Sequence, residues 1–150
     1  MSAKENVQLL KRWFEEVWNQ GQFQTIHELL SPDAVARGQR GPREQIHGPD
    51  EFLRFVQEIR AAFPDIHVTV DDAFGARDKV VARWSGTMTH TGQGFGEPTG
   101  KQIHLTGITI ARIVDGKIVD GWDNWDRLGM LEQIGAYRQP ETSGLAKSAD

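Results

Sequence analysis

The chain has 150 residues, 38% of them hydrophobic, and carries a net charge of −4 with acidic and basic residues interspersed. This length and apolar content favour one domain with a proper core, and the mixed charge gives no reason to expect a nucleic-acid or membrane partner. The lack of cysteine excludes disulfides, thiolate metal sites and a cysteine nucleophile. Because no apolar run has the length of a signal or membrane segment, we expect a cytoplasmic protein.

The N-terminal part of the chain has the period of helices. Ser2 and Glu5 form a capping box, and apolar residues at helical spacing extend a predicted first helix to about Asn19. Gly21 breaks this pattern, and a shorter second helix is predicted to end at Ser31, before a proline. A short strand from Asp33 to Arg37 could follow.

The middle of the chain contains a loop and a third helix. Residues 38–48 are polar and rich in glycine and proline, which is typical of a loop. Gly48-Pro49-Asp50 begins the third helix, with proline in the first turn, where its missing N–H costs nothing. Pro64 ends this helix.

After Pro64 the period of apolar residues changes to two, which predicts strands. The predicted strands cover about residues 66–71, 80–90, 101–114 and 117–125. The glycine-rich segment 92–100 is predicted to be a mobile loop near a cavity mouth. Asp115-Gly116 supplies a tight turn between the last two strands, and a short helix is predicted after them over 127–134. Three helices followed by consecutive antiparallel strands predict an α+β fold, in which a curved sheet wraps on the helices and leaves a cavity at one end.

The C-terminal hairpin carries a resemblance to a known family. Asp-Gly-Lys-Ile-Val at 115–119, then Trp122, then the pattern Asp-x-x-Gly-x-Leu-x-Gln-φ-Gly over 126–135 resemble the SnoaL-like polyketide cyclases. Further matching stretches lie at 14–21, 60–65 and 98–101. The resemblance implies the cone-shaped α+β barrel of the nuclear transport factor 2-like superfamily, here over residues 1–135. Residues 136–150 are small and polar and are expected to form a flexible tail.

Asp126 is the first candidate for catalysis. Strand alternation places it on the side of Ile118 and Trp122, which we expect to face the cavity. A carboxylate held against indole rings is desolvated, which raises its pKa toward neutrality and suits proton transfer. The resemblance implies the same role, since the aspartate of the Asp-x-x-Gly motif is the family's acid/base. The alternative is structural, because Asp126 also stands where the N-cap of the last helix belongs.

Two histidines are further candidates. His104 and His90 lie on neighbouring predicted strands, and either could polarise a carbonyl group near neutral pH. The alternative for each is a hydrogen-bonded structural or rim histidine. No third ligand stands at a fixed spacing from them, so we expect no metal site.

The walls of the expected pocket are aromatic and apolar. Such side chains suit a planar hydrophobic ligand, although core packing uses the same residue types. The residues predicted to line the pocket are Trp13, Phe55, Trp84, Met88, Ile108, Trp122 and Asn124.

These features predict an enzyme that uses acid/base catalysis and no cofactor. The expected reaction is an aldol-type ring closure, or related carbonyl chemistry, on a small hydrophobic cyclic substrate. The alternative is a non-catalytic domain of the same fold that binds a small molecule or dimerises. Trp125 and Val119 are predicted on the opposite, outer side of the sheet, and the resemblance implies a homodimer formed between such sheet faces.

Overall fold

A curved, unclosed six-stranded sheet is the frame of the computed structural model, which describes residues 2–138 and 140. Its strands are β1 (Leu30–Arg37), β2 (Gln45–His47), β3 (His67–Ala76), β4 (Lys79–Thr89), β5 (Gln102–Val114) and β6 (Lys117–Trp125). They are ordered β2-β1-β6-β5-β4-β3, and all neighbours pair antiparallel except β1 and β6, which are parallel. Most of the tail predicted over 136–150 lies outside the described residues.

The helices cover one face of this sheet. They are α1 (Ala3–Trp13), α2 (Gln24–Leu29), α3 (Gly48–Ala62) and α4 (Arg127–Gln133), and a π-helical segment (Phe14–Asn19) continues α1. Ser2 caps α1 by accepting a hydrogen bond from the Glu5 amide at 3.1 Å, as the capping box predicts. α1 packs against β3 and β4, and α3 packs against β1. The predicted α+β cone is confirmed, and none of the helices over the described residues is long and apolar enough to cross a membrane.

Two boundaries near the N-terminus differ from the prediction. β1 begins at Leu30, one residue before the predicted helix end at Ser31, because the chain there already pairs with Ile118 of β6. The predicted loop 38–48 contains β2, in which the buried Ile46 pairs with Ala36. Both differences come from strand partners that are distant in the sequence, so local pattern does not reveal them.

A bulge in the last hairpin decides which side chains of β6 face inward. The turn residues Asp115 and Gly116 have φ of 50° and 74°, as a tight hairpin turn requires. Ile113 pairs with Ile118, but Arg112 pairs with Asp120, which leaves Val119 as an extra residue. An extra residue reverses the alternation of the strand beyond it. Ile118 is therefore inward, and so are 121, 123 and 125, whereas 122 and 124 point outward.

The outer face of the sheet carries an apolar row. Phe74 pairs with Val81, Val81 with Ile110, and Ile110 with Trp122, so one row of apolar side chains crosses four strands. Ile108 lies beside this row with 47% of its surface exposed. The prediction that Trp125 lies on the outer face is wrong, because the bulge turns it inward, and Trp122 takes that position.

We propose that this outer face joins two copies of the chain. Exposed apolar side chains across a sheet mark an interaction surface. We expect Ile108→Asp to convert the dimer to a monomer of half the mass, because a carboxylate would then be buried without a partner. Sedimentation equilibrium of the wild type and the variant measures this. Gln57→Asp, on the exposed side of α3, is the control that should leave the mass unchanged; a monomeric wild type would contradict the proposal.

Candidate active site

A narrow cavity lies between the concave face of the sheet and the helices. Its volume is about 60 Å³, which is room for a few water molecules. Its walls are apolar, and their aromatic side chains are those of Trp13, Phe14, Trp18, Phe55, Trp84 and Trp125. The polar side chains on its surface are Gln39, Thr109 and Asp123, and they lie together.

Asp123 is a buried carboxyl group on β6. Its side chain points into the cavity and the residue is 9% exposed. Burial raises the pKa of Asp123 to about 7, against the smaller lowering effect of a hydrogen bond from Thr109. A carboxyl group that titrates near pH 7 can both accept and return a proton under cellular conditions.

A chain of hydrogen bonds holds Asp123 in position. The indole Nε1–H of Trp84 donates to Oγ1 of Thr109 at 3.0 Å, and the Thr109 hydroxyl donates to Oδ1 of Asp123. Thr109 and Asp123 are directly opposite each other on β5 and β6, so the sheet register sets this contact. Gln39 donates from Nε2 to the other carboxylate oxygen, Oδ2.

Two further spaces adjoin the same carboxyl group. A second, smaller space of about 30 Å³ also borders Asp123, and the small residues Ala36, Ala111 and Gly121 lie along it. On the other side of the segment 38–44 is an outer groove of about 640 Å³. Asp123 and Trp125 border both the cavity and the groove.

Four of the residues predicted to line the pocket lie along the cavity: Trp13, Phe55, Trp84 and Met88. The prediction is wrong for the other three, which do not border the cavity. Trp122 and Asn124 point outward because of the bulge at Val119, and Ile108 pairs with Asn124 on the same outer face. The guanidinium group of Arg37 stacks on the ring of Trp122 at 5.0 Å, outside the cavity.

The two histidines lie away from the cavity lining. His104 is exposed on the outer face, and its backbone N–H and C=O bond to the side chain of Gln133 at 2.9 and 2.8 Å. β5 has apolar residues on both faces, which is why its pattern does not show which face is inward. The expectation that His104 reaches the cavity is therefore wrong.

His90 is fully buried but is bonded within the loop that follows it. Its Nε2–H donates to the carbonyl of Gly94 at 2.7 Å, and its Nδ1 accepts from the hydroxyl of Thr99 at 3.1 Å. Its ring packs on Phe63 at 5.3 Å. With both ring nitrogens occupied, His90 organises the segment 92–100, as the structural alternative supposes. Within the described residues, no group of three or more His, Asp or Glu side chains is arranged to hold a metal ion.

A comparison with known proteins identifies the family to which the chain belongs. Residues 8–134 match the family model described as SnoaL-like polyketide cyclase. The chain belongs to the SnoaL-like polyketide cyclase family.

Individual proteins of named activity or known structure resemble the chain over most of its length. The aklanonic acid methyl ester cyclase DnrD of Streptomyces peucetius is 29% identical over 128 residues, which are 84% of this chain and 88% of DnrD. The structure of IdmH from Streptomyces antibioticus, a candidate polyketide cyclase, is 31% identical with a TM-score of 0.74 and covers 87% of this chain and 99% of its own. AclR from Streptomyces galilaeus, a candidate hydroxylase, is 27% identical with a TM-score of 0.81 and covers 99% and 92%.

Asp126, to which the family motif assigns proton transfer, has a different environment from Asp123. It is exposed, and its Oδ1 accepts a hydrogen bond from the Gly129 amide at 2.9 Å, as an N-cap of α4 does. It does not border the cavity. The cap is thus present as the structural alternative supposes, and the catalytic role of Asp126 stays a prediction without support from the geometry.

Sequence reasoning missed Asp123 because it extrapolated the alternation of β6 through the bulge. One signal could have found it. Counting back from the large indole of Trp125, instead of forward from Ile118, places Asp123 on the same side as an aromatic wall. Gln39 had no comparable signal, because its contact with β6 joins residues 84 positions apart.

Proposed function

We propose that the chain is a cyclase-type enzyme that closes a ring in a small hydrophobic carbonyl compound, with Asp123 as its general acid/base. The observation that carries the proposal is a buried carboxyl group on the wall of an apolar cavity, where burial raises the pKa of Asp123 to about 7. The membership of the family and the similarity to a named cyclase support the reaction class.

The chemistry requires one group that moves a proton twice. The carboxylate of Asp123 takes a proton from the carbon next to a substrate carbonyl, which leaves an enolate. The enolate carbon attacks a second carbonyl carbon in the same molecule and forms the new C–C bond. The resulting alkoxide takes the proton back from Asp123, so the product is an isomer of the substrate and no cofactor is consumed.

The surroundings of Asp123 suit each step. The hydroxyl of Thr109 donates to Oδ1, which orients the carboxylate. The apolar walls exclude water, which would otherwise protonate the enolate before ring closure. Holding both reacting carbons in one folded conformation supplies much of the rate enhancement.

Aklanonic acid methyl ester, on which the relative DnrD acts, is the first compound to test. We expect the purified chain to convert it, or a related ester, to an isomer of identical mass with a changed chromatographic retention. Chromatography with mass spectrometry measures this, and NMR of the product locates the new C–C bond. Boiled protein is the control. Binding without conversion across such esters would favour the non-catalytic alternative.

A further inference from the structure

The carboxylate of Asp123 is covered on both oxygens in the ligand-free chain. Oδ1 accepts from the hydroxyl of Thr109, and Oδ2 accepts from the carboxamide of Gln39. A general base must bring one oxygen within hydrogen-bond reach of the substrate proton. Each oxygen can accept a second hydrogen bond, but Asp123 is buried and the cavity beside it is narrow, so a substrate reaches the carboxylate only if one of these two donors gives up its place.

Of the two donors, Thr109 is the one that stays. It lies within β5 with strands on both sides, it is buried, and its Oγ1 receives the indole N–H of Trp84 at 3.0 Å. Gln39 is on the irregular segment 38–44 between β1 and β2. Gly38 and Gly41 flank it with φ of 88° and 144°, a backbone region that glycine enters at little cost.

The segment that carries Gln39 separates the cavity from the outer groove. Gln39 borders the cavity, whereas Gly38, Gly41 and Pro42 border the groove. The segment therefore lies between the two spaces, which meet at Asp123 and Trp125 of β6. The cavity of about 60 Å³ is far below the roughly 300–1,000 Å³ of ligand pockets, whereas the groove has about 640 Å³.

Specific contacts hold this segment in place. The indole Nε1–H of Trp125 donates to the backbone carbonyl of Gln39 at 3.0 Å, which attaches the segment to β6. Arg40 forms two hydrogen bonds to Glu58 of α3, at 2.8 and 3.2 Å, which attaches it to the helix layer. The segment 38–44 therefore crosses the mouth of the cavity from the sheet to the helices, and the Gln39 carboxamide points into the cavity.

We propose that Gln39 is a positioning residue that covers Asp123 in the ligand-free enzyme and yields its place to the substrate. Its withdrawal joins the cavity to the outer groove and makes one space large enough for a ring system. This inference rests on the proposed function, because it assigns the vacated Oδ2 to the proton that the substrate presents. Gln39 does not itself exchange a proton; it controls access to the group that does.

Uptake of a fluorescent apolar probe tests the gate without any turnover. The probe is N-phenyl-1-naphthylamine, an uncharged dye, mixed with the protein in a stopped-flow instrument. At pH 9, where Asp123 is ionised, we expect Gln39→Ala to raise the association rate by about tenfold or more, the factor that corresponds to one lost hydrogen bond to a charged group. Gln45→Ala removes the same carboxamide from an exposed position of β2 and should match the wild type. A Gln39→Ala rate equal to that of the wild type would overturn the proposal.

A second variant separates hydrogen bonding from simple filling of space. Gln39→Glu keeps the shape but places a second carboxyl group beside Asp123, and two adjacent carboxyl groups share a proton at low pH and repel when both are ionised. Of the other charged groups of this region, Arg37 pairs with Asp120 and Arg40 with Glu58, Arg127 borders the groove, and Arg43 and Glu44 lie on the same segment. We expect Gln39→Glu to take up the probe like the wild type at pH 5 and about tenfold faster at pH 9.

A rate of Gln39→Glu that matches the wild type at both pH values would also contradict the gate. Circular dichroism melts of each variant establish that it is folded. The same uptake measurement on Asp123→Leu distinguishes the two proposals. Probe uptake depends on the hydrogen bond between Gln39 and Asp123 and not on turnover, so it tests the gate even if Asp123 is not catalytic. Because Asp123→Leu removes the acceptor of this hydrogen bond, the variant should take up the probe as fast as Gln39→Ala.

Discussion

Asp123→Asn is expected to lower turnover by about 10²-fold or more while the chain stays folded. Asparagine has the shape of aspartate and its carbonyl oxygen can still accept the hydrogen bond from Thr109. The Gln39 carboxamide can turn to present its oxygen to the new amide N–H. The substitution therefore leaves the contacts of the site in place and removes only the group that accepts and returns the proton. Turnover and thermal unfolding of the variant, measured with the ester that the wild type converts, test this.

The same pair of measurements on Asp126 provides the matched control. Asn is also a good N-cap, so Asp126→Asn should change stability by at most about 1 kcal/mol and leave turnover within a few-fold of the wild type. Asp126→Ala should lose cap stability and keep activity. If instead Asp126→Asn lost activity and Asp123→Asn kept it, the assignment from the family motif would be right and the assignment from the geometry wrong.

Asp123 should also make the stability of the wild type depend on pH in a way that Asp123→Asn removes. In the folded chain this carboxyl group holds its proton up to a pKa of about 7, whereas its unfolded reference value is 3.8. Between these values the folded state binds more protons than the unfolded state, so the free energy of unfolding falls as pH rises. The fall amounts to roughly 4 kcal/mol by pH 7, because each pKa unit corresponds to about 1.4 kcal/mol.

We therefore expect Asp123→Asn to gain stability relative to the wild type as pH rises from 4 to 8. For a chain of this size the gap in melting temperature should widen by roughly 10 °C. Glu15, Glu16 and Asp120 have pKa values below their usual range, which gives the opposite slope. Because both proteins share those groups, their contribution cancels in the difference. Parallel melting curves across this pH range would show that Asp123 ionises normally and would remove the main support for its catalytic role.

The two predictions on Asp123 test different properties of one group. The change in stability depends on its pKa in the empty protein, whereas the loss of turnover depends on a proton transfer to bound substrate. A raised pKa without a loss of turnover would leave Asp123 as a buried structural acid, and the cavity would then fit the small-molecule-binding alternative.

Local sequence pattern was sufficient for the α+β class and for much of the wall of the cavity. The helical spacing of Trp13 and Phe55 and the alternation of Trp84 and Met88 identify inward positions, because a regular helix or strand turns each side chain by a constant angle. The capping box at Ser2 and the turn at Asp115-Gly116 act within a few residues, so they too can be recognised locally. The family follows from the C-terminal motif, which the match over 8–134 confirms.

The tertiary structure alone decided which carboxyl group faces the cavity. Asp120, Asp123 and Asp126 lie within seven residues, and the extra residue at Val119 selects Asp123 by reversing the alternation of β6. Nothing in the local composition marks this bulge, because it depends on how β6 pairs with β5. The contact of Gln39 with Asp123 and the burial that raises its pKa likewise arise between segments far apart in the chain. Desolvation is a property of the assembled surroundings, and for that reason the acid/base at this site could be assigned only once the sheet and helices were in place.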